Sequence, residues 1–166
     1  MQTLFNKVSS GMIEPLDALD ITLSLCCMIE DCTTFSHLDP RRILLDDDNH
    51  VTIGQDEGAV DCFYAAPDVV FEGAAASIDS MRFSAGCLLF YMLNGKSYYD
   101  AYNLDLFETL EAASGKSLVD PSVYAGRASD IICALTAWKA EERAEGMSKL
   151  LQAVTTAPAV ATLQYV

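Results

Sequence analysis

His37 and Asp39 stand two residues apart: an imidazole that titrates near neutral pH beside a carboxylate able to orient it, the minimum for general acid–base work. No serine or cysteine in a nucleophile motif accompanies them, so His37 is read as a loop histidine at a lapsed site. Asp46, Asp48, His50 and Glu57 fall at offsets resembling places one, three, five and twelve of a calcium loop. The sixth place, where that loop requires glycine, is Val51, and a solvated hairpin turn is the expectation. Arg41-Arg42 could receive a phosphate or an acidic segment from a partner. In a chain this acidic, pairing with its own Asp39, Asp46 or Asp56 is the expected use. Six cysteines (Cys26, Cys27, Cys32, Cys62, Cys87, Cys133) show neither C-x-x-C pairing nor histidine-ligand spacing, and most sit in apolar runs. Buried free thiols in a reducing compartment are expected.

The elements that must position these groups are mostly helical. Pro15 opens a stretch with apolar residues at Leu16, Leu19, Leu23 and Cys26/Cys27, the spacing of an amphipathic helix ending near Asp31. Ile43–Leu45 and Val51–Ile53 are β-prone runs joined by the polar link Asp46–His50, which reads as a hairpin. Gln55 to Val70 reads as irregular. From Met81 to Leu93 the chain is almost continuously apolar and Gly95 stands where a cap belongs, predicting a buried central helix. Three further helices fit Leu104–Ala113, Ala128–Trp138 and Gly146–Thr155, with Gly115–Gly126 as a long loop and Tyr98, Tyr99 and Tyr102 as a packed aromatic cluster.

The 166 residues are one domain's worth of chain, so any two-lobed enzyme read into them is incomplete. Hydrophobic residues at 51% against 20% charged exclude a disordered acidic tail. Ten Lys+Arg against 24 Asp+Glu give a formal charge of -14, which repels a phosphate backbone or an anionic bilayer. Nucleic acid and membrane surfaces are excluded as partners, and the absence of an apolar leader near Met1 predicts a cytoplasmic chain. The expected layout is an N-terminal arm (1–13), one mainly α domain (14–157) and a tail (158–166).

The order helix, loop, hairpin, loop, buried helix, helices resembles the helical C-terminal lobe of the eukaryotic-type protein kinases. Phe35-Ser36-His37-Leu38-Asp39-Pro40-Arg41-Arg42-Ile43-Leu44-Leu45 is similar to the catalytic loop H-R-D-L-x-x-x-N and the strand after it. His50-Val51-Thr52-Ile53 resembles the strand leading into D-F-G, and Tyr64-Ala65-Ala66-Pro67-Asp68 the end of the activation segment. Ser84 to Lys96 resembles the central helix and its glycine end, and Ala140-Glu141-Glu142-Arg143 the late D-P-x-x-R motif.

That resemblance implies a kinase-like fold with its chemistry removed. Only 14 residues precede the first helix, too few for the lobe that carries the glycine-rich loop and the strand lysine. The slot of the catalytic base holds His37, the neighbouring lysine slot Asp39, and the metal-binding asparagine slot Arg42. At D-F-G, direct register gives Gln55-Asp56-Glu57; a one-residue slip gives Asp56-Glu57-Gly58, and the direct register matches the family's strand length. Ser36 replaces the arginine that clamps a phosphorylated activation loop, and Met81 the aspartate that anchors the catalytic loop, with Asp79 nearby. The resemblance further implies a structural ion pair between Asp68 and Arg143. If that pair is buried, loss of Asp68 costs about 3–5 kcal/mol.

With the first lobe missing, Leu44, Leu88 and Met92 belong by resemblance to an apolar column that reaches the vacated face, with Arg41 and Arg42 beside it. Exposed apolar surface is unfavourable by about 25 cal/mol per Å², so a cover is expected: the Leu4-Phe5 arm, a second copy of the chain, or a partner protein. The reading from sequence is a non-catalytic, single-lobe pseudokinase that needs no cofactor or metal and serves as a binding module or scaffold. Its partner would carry a basic surface, or the chain would self-associate. The alternative is a split or degraded kinase whose nucleotide lobe comes from another chain.

Overall fold

The computed structural model describes residues 1–11, 13–55, 60–97 and 127–155. The expected Leu104–Ala113 helix, the Gly115–Gly126 loop, the Tyr98/Tyr99/Tyr102 cluster and the tail beyond Pro158 lie outside them. In chain order the elements are β1 (Gln2–Thr3), α1 (Leu4–Ser10), α2 (Pro15–Asp31), β2 (Ile43–Leu45) and β3 (Val51–Ile53). After these come α3 (Pro67–Glu72), α4 (Ile78–Asn94), α5 (Arg127–Leu135), a single 3-10 turn (Ala140–Glu142) and α6 (Ala144–Thr155). The architecture is mainly α with a small antiparallel sheet of order β1-β2-β3. Among the described residues no helix is long and apolar enough to cross a membrane.

α4 is the axis of the core because its sequence leaves it no polar face. Every residue from Ser80 to Leu93 except Arg82 is buried, the pattern of a helix surrounded by protein. Its start is Ile78 rather than the expected Met81, since Ser77 and Ser80 form a capping box one turn upstream of the apolar run: Ser80 N–H donates to Ser77 Oγ at 3.1 Å and Ser77 N–H to Ser80 Oγ at 2.8 Å. Gly95, at φ 77°, ends it by donating its N–H to Tyr91 O. α2 packs on α4 through Leu19, Ile21, Leu25 and Ile29, and Arg82 joins the two by donating to Glu30 and Asp79, each at 2.8 Å.

The expected hairpin forms with Ile43 opposite Ile53 and Leu45 opposite Val51. Two short elements were not foreseen. β1 adds to the outer edge of β2 with Gln2 opposite Leu45 and Thr3 opposite Leu44. Thr3 then caps α1 by accepting from Asn6 N–H at 3.1 Å, and Leu4 and Val8 are buried one turn apart. The segment expected to be irregular up to Val70 turns helical at Pro67, which presets the first residue of α3.

α5 stops at Leu135 instead of Trp138, and the carbonyls of Ala137 and Trp138 just past its end accept from Arg143. Leu135 sits between two glycines: a methyl at Gly86 would lie 2.9 Å from its Cβ, and one at Gly146 2.6 Å from its Cγ and 2.8 Å from its backbone nitrogen. Alanine at Gly146 would gain up to about 1 kcal/mol of helix propensity, but the clash with backbone costs about 1–3 kcal/mol. Gly146→Ala is therefore expected to lower stability in urea unfolding, the reverse of its effect at an exposed helical site.

Candidate functional site

The loop from His37 to Arg42 lies between α2 and the hairpin and is closed by Arg42. This side chain is 9% exposed. Its Nη1 donates to His37 O, its Nη2 to Gly54 O at 2.8 Å, and its Nε to Gln55 O at 3.1 Å. One guanidinium thus ties the loop before β2 to the chain leaving β3. The expected pairing with Asp39 or Asp46 gives way to these carbonyls. Asp39 Oδ1 accepts Arg41 N–H at 2.7 Å, serving its own turn rather than orienting His37. Asp46 is occupied by His50, and Asp56 and Glu57 lie outside the described residues.

The apolar column implied for the vacated face is closed. Leu88 and Met92 have no exposed surface, and Leu44 is half-buried opposite Thr3 of β1. Of the five residues read as a partner interface, Arg41 remains the exposed one, and it stacks 4.2 Å over the Phe5 ring. Phe5 N–H donates to Pro40 O at 3.0 Å and Lys7 donates to Asn49 Oδ1. The cover is the chain's own N-terminus. Asp79 spends its carboxylate on Arg82 and its carbonyl on Arg143, so it does not substitute for the missing loop anchor.

Arg143 makes four side-chain hydrogen bonds. With no exposed surface, it donates from Nε to Ala137 O at 2.8 Å and from Nη1 to Asp79 O at 3.1 Å. Nη2 reaches both Asp68 Oδ1 at 3.0 Å and Trp138 O at 3.1 Å. The Phe83 ring lies 5.1 Å from its guanidinium carbon. The pair with Asp68 is asymmetric, since the carboxylate side chain keeps 22% of its surface in water.

Among the described residues, one group of potential metal ligands converges: Asp46, Asp48 and His50, whose ligand atoms lie within 4.8 Å of one another. They are already bonded among themselves. Asp46 Oδ1 accepts the N–H groups of Asp48 and His50, both at 2.9 Å, and its Oδ2 meets His50 Nδ1 at 2.9 Å. This is the hairpin turn, with Asn49 at φ 63°. The hydrogen bond to Asp46 lifts His50 above its ordinary 6.5, and His50 in turn holds Asp46 below its ordinary 3.8. All six cysteines are free, but only Cys26 and Cys87 are buried, and burial pushes both up to about 12. Cys27 and Cys62 are exposed, where the expectation was burial; Cys27 lies off the buried stripe of α2 and Cys62 in a turn.

The sequence reading named the Leu4-Phe5 arm but missed Arg82, Phe71 and Trp138. Trp138 carried a signal, as the chain's single tryptophan set among charges. Compared with protein-family models and with curated proteins, the chain matches none.

Truncating Arg143 to alanine removes the donor for four acceptors and is expected to cost about 3–5 kcal/mol. Asp68→Ala leaves three of those acceptors in place and costs about 1.5–3 kcal/mol; paired urea curves check the order. At the turn, protonated His50 bound to Asp46 stabilises the fold fully below pH 6.5, and that contribution disappears as pH rises through His50's higher folded value. On the acid side it fades as Asp46 protonates. In an NMR titration, Asp46→Asn is expected to bring His50 back down toward its ordinary value.

Proposed function

We propose that the chain is a single-lobe, protein-kinase-like domain that does not transfer phosphate and acts as a binding module or scaffold. The observation that carries this reading is Arg42. In the slot where the family's metal-binding asparagine would stand, a buried cation holds the carbonyls of His37, Gly54 and Gln55. Phosphoryl transfer relies on divalent metal to offset charge on the transferring group, and a fixed guanidinium at that spot repels such an ion. Supporting features are the helix, hairpin, short helix and buried helix in the family's order, and the Asp68–Arg143 pair at 3.0 Å.

The charge of -14 favours a protein partner with a basic surface, because complementary fields speed encounter and exclude like-charged competitors. Neither nucleotide nor metal enters this reading, and the cytoplasm suits its free thiols.

Thermal melts with MgATP and with MnCl2 test the non-catalytic half: no rise in melting temperature is expected. A clear rise, or phosphate release from MgATP, would sink it in favour of a split kinase. Capture of the tagged chain from its native lysate at low salt tests the other half. A stoichiometric partner released by added salt is expected, whereas recovery of the chain alone would replace the basic partner with self-association.

A further inference from the structure

α3 turns Phe71 outward, 44% exposed. Its ring lies 6.3 Å from that of Trp138, tilted by 40°. The two aromatics line a cleft of about 280 Å³ between α3 and the turn after α5. Among the described residues, the charged part of its wall is Asp68, Glu72 and Glu141 against Lys139.

Two walls of this cleft are pinned by one atom. Arg143 Nη2 holds Asp68 Oδ1 at 3.0 Å and Trp138 O at 3.1 Å, from a buried position behind the cleft. The site is thus set before any ligand arrives, which lowers the ordering cost of binding. Its chemistry selects the occupant. Aromatic faces attract a cation by their quadrupole and accept an apolar stem by contact, and a carboxylate rim takes the donors of the charged head. Guanidinium suits this best, being flat enough to stack and forked enough to meet carboxylates. An anion would face three carboxylates, and a neutral apolar group would make no use of Glu72 and Glu141. A volume near 280 Å³ admits a side chain with its flanking backbone rather than a large ligand.

We propose that the Phe71–Trp138 cleft is the docking site for an arginine side chain on an exposed basic segment of a partner protein. The inference rests on the binding-module reading above and gives that module its point of contact.

Trp138 is the chain's only tryptophan, so its emission reports on the cleft directly. The probe is the blocked peptide Gly-Arg-Gly-Arg-Gly, with its glutamate counterpart as control, titrated into the full chain by fluorescence and by calorimetry. A saturable emission change with the arginine peptide is expected. Phe71→Ala should weaken binding about five-fold, the scale of one cation–π contact. The double variant Glu72→Gln/Glu141→Gln should weaken it and flatten its salt dependence, and Lys139→Ala should tighten it. All these positions lie outside the Arg143 network, and unchanged melting temperatures will establish that the variants fold. Heat of binding with no emission change, and equal affinity in Phe71→Ala, would overturn the site while leaving a basic partner in place. Neither heat nor emission change up to about 1 mM peptide, or an equal response to the glutamate peptide, would overturn the cleft together with the charge argument for its partner.

Discussion

The guanidinium of Arg143 is sealed from water, a position tolerable for a cation only because acceptors meet it on every side. Three are main-chain carbonyls and one is a carboxylate. They belong to segments 64 and 75 residues away as well as to the neighbouring turn. A single planar group therefore fixes the start of α4, the position of α3 and the chain reversal between α5 and α6. Lysine has the charge but not the fork, and its donors radiate from one point. The same group satisfies the carbonyls of Ala137 and Trp138 just past the end of α5.

Arg42 and Arg82 repeat this use of cations at smaller scale. Arg42 clasps the loop before β2 to the exit of β3, and Arg82 clasps the acidic C-terminal end of α2 to the first turn of α4. Glu30 and Asp31 end α2 where the helix dipole already concentrates negative charge, and Arg82 offsets the nearer of them. With Arg42, Arg82 and Arg143 among the described cations engaged by the fold, the outward field is carried chiefly by carboxylates. The acidity seen in composition is thereby sharpened at the surface.

What could be read from sequence follows the length of the signal. α2, α4 and the hairpin are long or strongly patterned, and Pro15, Gly95 and the polar link at Asp46–His50 mark their limits. β1 and α1 are too short to show a period, and their placement depends on an edge of β2 that only the folded sheet presents. α3 was hidden because a single helical turn after Pro67 has no repeat to detect. The Asp68–Arg143 contact came from a motif comparison and not from any pattern in the residues themselves. The carbonyl partners of Arg42 were not legible for a physical reason: charge balance points to carboxylates, whereas sequence does not display where main-chain acceptors converge.

The closure of the hairpin edge bears on where recognition can occur. An unpaired strand edge is a template for other chains, and β1 occupies that of β2 while α1 buries Leu4 and Val8 beneath it. Phe5 holds Arg41 by its ring, and Lys7 holds Asn49 at the far turn, so the arm is tied to both ends of the hairpin. A partner seeking the β2 edge would have to displace these contacts before gaining any of its own. Phe71, by contrast, is 44% exposed in a wall that carries carboxylates, and Arg143 holds Asp68 and Trp138 of the same wall. The group that ties the helices together is the same one that holds two walls of the cleft.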